Sequence, residues 1–244
     1  MSTIGKKIGI GIATLLTLAG VAGIVVLGQL GRLIERGVER EGPRITGTDV
    51  SLGSARVSIF DGEGSLNRLR IANPEGFSGG DAFDLGEIAI AVDVKSVTAD
   101  VIHIRRLVIE APRLLAEFDA AGSSNLDAIR AHARAASRDG GPAKQGADGG
   151  PEVRLIIDEF RFEKAEVRAL APAFDVDRTL VLPPVILKNL GAKQGGATAS
   201  DIASQVLRPI VDAAIQAATR EYLAAQRDKV GKKVEEQLMD KLFK

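Results

Sequence analysis

The chain has two histidines and no cysteine, so its scope for acid–base and metal chemistry is narrow. Disulfides, thiolate zinc sites and thiol nucleophiles are excluded outright. His103 sits in Val101-Ile-His-Ile-Arg105, out of phase with Ile102 and Ile104 in a two-residue period. His132 lies between alanines in a helical stretch. Neither has a second histidine at metal spacing such as i, i+4, so both are expected to be structural or solvent-facing. Ser123-Ser124 lacks the context of a nucleophile elbow. Asp158, Glu159 and Glu163 alternate sides of a strand, which suits a solvated face. Glu110 and Glu117 fall on different strands, so no paired-carboxylate site follows from them. The glycines of Asp61-Gly-Glu-Gly64 and Asn73-Pro-Glu-Gly-Phe77 are not followed by Gly-Lys-Ser/Thr or by a helix start, as a phosphate cradle requires. They read as turns. The expectation is a protein without enzymatic activity, metal or cofactor.

Composition narrows the partners. Lysine plus arginine equals aspartate plus glutamate at 32 each. Nucleic-acid binding needs a basic face, so it is not expected. Aromatics are 4% of residues and tryptophan is absent, which leaves little for stacking bases or sugars.

The elements that remain are a greasy amino-terminal run, a set of strands and a terminal helix. Ile8 to Gly28 carries no charge. At about 1.5 Å per residue it makes roughly 31 Å of helix, which matches a hydrocarbon core of about 30 Å. Ile8, Leu15, Leu16, Val21, Ile24, Val25 and Leu27 would be its lipid-facing mass. Lys6 and Lys7 precede it, so the amino terminus is expected in the cytoplasm and the rest across the membrane. The rival reading is a cleaved signal peptide with Gly20-Val-Ala22 at its cleavage site. The apolar run continues past that site and favours a retained anchor. Charged residues from Arg32 to Glu41 predict a helical continuation stopped by Gly42-Pro43.

From about residue 45 the period changes to two. Ile88, Ile90, Val92 and Val94 fall on one strand face, with Glu87, Ala89, Ala91, Asp93 and Lys95 opposite. Ile102 and Ile104 continue the pattern, and Leu107 and Ile109 resume it one residue out of step, where a bulge is one explanation. Pro112 interrupts it before Leu114, Ala116 and Phe118. The short connections predict mainly antiparallel neighbours. Ser123-Ser-Asn125 reads as a helix cap. Residues 137–151 have no large apolar side chain and read as a mobile loop. Strands resume at Val153. Pro183-Pro184 marks an edge or broken strand. From Ser200, taken as a cap, Ile202, Val206, Ile210, Val211, Ala214 and Ala218 form a helical stripe, and Val230, Val234, Leu238 and Leu242 recur every fourth residue. Packing on the domain is preferred over lying on a membrane, since acids are mixed among the bases.

The expected organisation is α+β. Residues 1–44 form an anchor and juxtamembrane helix, 45–195 a β-rich domain and 196–244 an amphipathic carboxy-terminal helix. A sheet with one apolar face must cover it with a sheet, a helix or a ligand. Ile88, Ile90, Val92, Ile102, Ile104, Leu107 and Ile109 are the candidate groove residues, and closed core is the competing reading for them.

Thr48-Asp-Val-Ser-Leu-Gly53, Gly64 to Phe77, the strands at 85–94 and 102–112, Glu117 and Asn125-Leu126 together resemble the AsmA-like proteins of Gram-negative envelopes. Leu182 to Gly191 with Gly195-Gly-Ala197 is similar to small members of that family. The resemblance implies an inner-membrane anchor, a periplasmic domain with a curved, mostly antiparallel sheet, and an apolar concave face associated with moving phospholipid towards the outer membrane. Eight or nine strands side by side would make one sheet about 40 Å wide, too short to bridge a periplasm. Two functions follow. One is lipid contact in outer-membrane lipid homeostasis. The other is a non-catalytic scaffold that binds envelope subunits or a second copy of itself.

Overall fold

A computed structural model describes residues 31–32, 34–58, 60–97, 99–139 and 154–242. The anchor residues Ile8, Leu15, Leu16, Val21, Ile24, Val25 and Leu27 lie outside the described residues, as does most of the expected loop. No helix among the described residues is long and apolar enough to cross a membrane.

The fold is α+β: a large, mostly antiparallel sheet with a long carboxy-terminal helix. Helix α1 (residues 34–46) leads into β1 (Val50–Ser58), β2 (Glu63–Ala72), β3 (Asp81–Asp84), β4 (Glu87–Val92), β5 (Val101–Glu110) and β6 (Arg113–Glu117). Helix α2 (Asn125–Asp139) follows, then β7 (Arg154–Glu163), β8 (Glu166–Ala171), β9 (Val176–Val181), β10 (Val185–Leu190) and α3 (Ala199–Leu242).

The strands are not all neighbours. Asn67 faces Glu87 and Arg70 faces Asp84, so β3 and β4 continue one another along β2 in one register. In the same way β5 runs on into β6, β7 into β8, and β9 into β10. The sheet therefore has six long rows in chain order: β1, β2, β3/β4, β5/β6, β7/β8 and β9/β10. Its width is about 24 Å, not 40 Å, because most of the strands lie end to end in pairs rather than side by side.

The breaks line up. Arg68, Gly86, Ala111 and Lys164 have φ of 56°, 57°, 51° and 53°. Arg68 donates its N–H to Gly86 O (2.5 Å), and Ala111 donates to Glu163 O (2.9 Å), the residue next to Lys164. Gly53 of β1 and Pro183 of the last row fall in the same line. A left-handed residue shifts the side-chain phase and bends its strand. The rows make the shift together, so register survives and the sheet has one transverse crease. This is why Pro112 interrupts the pattern and Leu114 restarts it. A second irregularity is a bulge at Arg105: Ala91 faces Arg106 but Val92 faces Ile104. It returns Ile102 and Ile104 to the face of Leu107 and Ile109, which accounts for the phase slip in the sequence.

The sheet is mostly antiparallel, as expected; one contact between rows is parallel, β5/β6 with β7/β8, and α2 lies in the connection that a parallel pair requires. Several expectations about the helices need correction. Helix α1 passes through Gly42-Pro43 and ends at Gly47, which has φ 74° and donates its N–H to Pro43 O (2.9 Å). Helix α2 runs to Asp139, into the expected loop, where Ser137 Oγ donates to Asp201 Oδ1 (2.7 Å). The cap of α3 is Thr198, not Ser200: its Oγ1 accepts from Asp201 N–H (3.1 Å).

The buried apolar residues of the six rows share one face, while Val181 and Ile186 are exposed on the other. Helix α3 packs over β6 to β10, with Ile202, Ile210, Val211, Ala214 and Ala218 buried and Val206 against the core. Helix α2 packs on β6 and α3, and Arg130, paired with Asp127 on its own helix, joins α2 to α3 through Asp212. Helix α1 lines the free edge of β1. Glu35 Oε1 accepts from Ala55 N–H (2.9 Å) and Glu39 Oε1 from Leu52 N–H (3.5 Å), which satisfies edge groups that would otherwise invite another strand. The opposite edge carries Pro183 and Pro184, as the sequence predicts, between β9 and β10.

Candidate functional site

Cross-strand register places the candidate groove residues in three parallel rows. The first is Ala55, Leu66, Ile88, Ile109, Phe162 and Val185, one residue from each long strand. The second runs Gly64, Ile90, Leu107, Phe160 and Leu187. The third runs Val92, Ile104, Ile157 and Leu190. Ile102 lies one step further along, opposite Leu155. All seven candidates therefore occupy one continuous apolar surface.

They are not equally covered. Ile88 (3% exposed) and Ile109 (5%) are buried, and so are Ile157, Phe160 and Phe162 beside them. Ile90, Ile104 and Leu107 are half-buried against that core. Val92 and Ile102 are half-buried as well. Burial falls along β4 and β5 themselves, from Ile88 and Ile109 to the half-buried Ile90, Val92, Ile102, Ile104 and Leu107; α2 and α3 pack on β6 to β10, where Val185 and Leu187 are half-buried too.

The reverse face is polar and carries ion pairs between strands. Arg113 pairs with Asp84 (2.5 Å), Lys164 with Glu110 (2.5 Å) and Arg168 with Asp177 (2.6 Å). Arg161 lies between Glu159 and Glu163. The Arg113 guanidinium holds the Asp84 carboxyl below its usual range, and Arg168 and Lys164 do the same for Asp177 and Glu110. Most of the carboxylates that the sequence offered as chemistry are thus occupied in solvated pairs. A shallow concavity of about 390 Å³ on this face is lined by Asp84, Arg113, Glu166, Arg168 and Thr179, with Asp84 and Arg113 paired to each other.

One polar cluster is buried, and single residues did not reveal it. Glu117 (8% exposed) accepts from Asn73 Nδ2 (2.9 Å), Ser78 N–H (3.0 Å) and Ser78 Oγ (2.5 Å). Its own N–H donates to Asn125 Oδ1 (2.9 Å). Asn125 Nδ2 donates to Asn73 Oδ1 (2.7 Å) and Leu115 O (2.9 Å). The cluster ties the turn after β2, the end of β6 and the start of α2 into one corner. These groups find their partners inside the chain, as a structural node requires. Its only advance signal was that Asn73, Glu117 and Asn125 all belong to the motifs that resemble AsmA-like proteins.

His103 is half-buried in β5, with its N–H donated to Ser96 Oγ (2.8 Å), and His132 is an exposed helix residue whose ring lies over Gly47. Among the described residues no group of three His, Asp or Glu could hold a metal. Tyr222, which the sequence pattern did not single out, stacks on Phe118 (5.2 Å between centroids) and meets Phe174 edge-on (4.8 Å). It lies four residues beyond Ala218, so the helical stripe could have been extended to it. Compared with family models, curated proteins and solved structures, the chain matches none.

Proposed function

We propose that this is a non-catalytic, AsmA-like protein that contacts membrane lipid through the apolar face of its sheet. In this reading the Ile8–Gly28 segment is an inner-membrane anchor with its amino terminus in the cytoplasm, and the sheet lies in the periplasm with its apolar face concave. Its role is envelope and outer-membrane lipid homeostasis. The observation that carries the proposal is the burial gradient. The apolar face continues across all six rows, but Ile90, Val92, Ile102, Ile104 and Leu107 lie beyond the strands that α2 and α3 cover. Apolar surface left in water costs about 25 cal/mol per Å², and an acyl chain would recover that by lying along the rows. The clustering of Asn73, Glu117 and Asn125 supports the family likeness, since residues drawn from three separate motifs form one bonded unit.

The test is Ile90→Asp and Ile104→Asp in the full chain, read by lipid retained through purification and by thermal unfolding. Loss of lipid with a Tm near that of the parent supports a groove. Unfolding of both variants, with no lipid in the parent, makes these residues closed core and refutes the proposal.

A second reading is favoured by a different observation. Beyond Ala225, which packs on the core, α3 exposes Val230 (64%) and Met239 (50%). A helix that continues past its own domain with apolar residues in solvent suits a scaffold that binds another envelope subunit or a second copy of itself. Truncating the chain after Ala225 would abolish a stoichiometric complex in that case and leave lipid content unchanged.

A further inference from the structure

Three of the exposed large hydrophobic residues lie at one end of the sheet. Phe60 (87% exposed) is in the β1–β2 turn, and Val94 (40%) and Val97 (36%) are in and just after the single turn of 3-10 helix Val94–Ser96. The two turns adjoin. Val92 N–H donates to Gly62 O (2.6 Å), and a Cβ on Gly62 would lie 3.0 Å from Val94 Cγ2. Arg105 Nη2 would be 3.5 Å from the same Cβ, which sets an exposed guanidinium beside the apolar tip. Lys95 is exposed between Val94 and Ser96, and Asp61 and Asp93 are engaged within their own turns by Ser58 Oγ and Lys95 N–H. The tip thus presents one exposed aromatic, two exposed valines and the cations Lys95 and Arg105, with the carboxylates Asp61, Glu63 and Asp93 beside them.

Helix α1 points at the same end. It runs antiparallel to β1: Gly42 lies against Val50, Glu39 and Glu35 accept from Leu52 and Ala55, and Gly31 abuts the Ala55 carbonyl so closely that a Cβ would collide with it. Towards its amino end the chain therefore approaches the β1–β2 turn. The charge-free segment ends at Gly28, three residues before Gly31. Three residues reach at most about 11 Å, and the five from Ala55 to Phe60 at most about 18 Å.

We infer that this end of the sheet rests on the bilayer that takes the Ile8–Gly28 segment, with Phe60, Val94 and Val97 in the headgroup–acyl boundary and Lys95 and Arg105 at lipid phosphate level. The inference depends on the anchor reading above. An amphipathic tip of this kind inserts about 5–10 Å, with its cations favoured by anionic lipid. It fixes the orientation of the sheet: the long strands run upright from the membrane, and the half-buried stretch of β4 and β5 opens at the lipid surface.

The absence of cysteine makes the test clean. Single variants Phe60→Cys, Val94→Cys, Glu75→Cys and Leu16→Cys of the full-length chain are labelled with an environment-sensitive fluorophore. They are reconstituted into phosphatidylcholine–phosphatidylglycerol vesicles carrying a shallow nitroxide lipid. Glu75 is exposed in the turn between β2 and β3, at the far end of the sheet. The expected result is quenching at 16, 60 and 94 about threefold or more above that at 75. Quenching at 16 with 60 and 94 no different from 75 overturns the inference and leaves the anchor intact. No quenching at 16 removes the anchor and the inference with it.

Discussion

Asn125 is fully buried and satisfies Glu117 N–H, Leu115 O and Asn73 Oδ1 with one side chain. An alanine there leaves those groups without partners in a dry corner, at about 1–3 kcal/mol for each group left unsatisfied. Asn125→Ala is expected to lower stability by about 3 kcal/mol or more in denaturant unfolding; a loss under about 1 kcal/mol would mean the corner admits water. Ala111 is an exposed residue in the left-handed region within the crease. That conformation costs a non-glycine residue about 1–2 kcal/mol. Ala111→Gly should therefore raise the unfolding midpoint, and Ala111→Val should lower it. Asp84 gives a pH dependence of known sign. Its folded-state pKa is held down, chiefly by its hydrogen bond from Arg113, below the ordinary 3.8. The resulting stability is present above the unfolded value and is lost as pH falls through the folded one. Asp84→Asn should destabilise at pH 6, and the gap between variant and parent should close as the pH is taken below the carboxylate range in thermal melts. Of the residues in the polar ladders, Glu159 and Glu163 were legible as a solvated face. The buried corner was not, because hydrogen bonding across 52 positions, from Asn73 to Asn125, leaves no local period to read.

Helix α3 is the element that closes the domain. Its 44 residues span about 66 Å at about 1.5 Å per residue, and its first half packs over the sheet. The apolar stripe from Ile202 to Ala218 was readable because side chains three and four apart must share a face. The chain's one tyrosine, Tyr222, extends the stripe by one turn and pins α3 between Phe118 and Phe174. Tyr222→Ala should cost about 3 kcal/mol, by analogy with large-to-small aromatic changes. Helix content should fall little, since the helix continues on both sides. Loss of most of the helical circular dichroism would contradict the view that α3 is held at many points. The domain boundary expected at residue 45 would remove α1, which accepts edge N–H groups of β1. A shortened chain starting at 45 should aggregate through that edge, whereas one starting at 31 should remain monodisperse in light scattering.

At the scale of the whole molecule, the one-sided strands, the class and the terminal helix were legible, but the arrangement of strands was not. Each crease residue breaks a strand in the sequence just as a turn would. Arg68 and Lys164 carry no glycine or proline signal to mark them as left-handed, and Pro112 beside Ala111 marks a break without distinguishing a crease from a turn. Eight or nine segments therefore read as neighbours, whereas the ten strands form six creased rows. The correction narrows the sheet and lengthens each strand row, so the apolar face is deeper along the strands than the sequence suggested. The proposed function stands or falls on whether the half-buried part of this face meets lipid. Photo-crosslinking in native membranes decides it, with a benzophenone amino acid placed in the full chain at Ile104, at Leu107 and, as the polar-face control, at Arg168. Lipid-mass adducts are expected at 104 and 107 and none at 168. Adducts at 104 and 107 only to the chain itself or to another protein would overturn the lipid-contact reading.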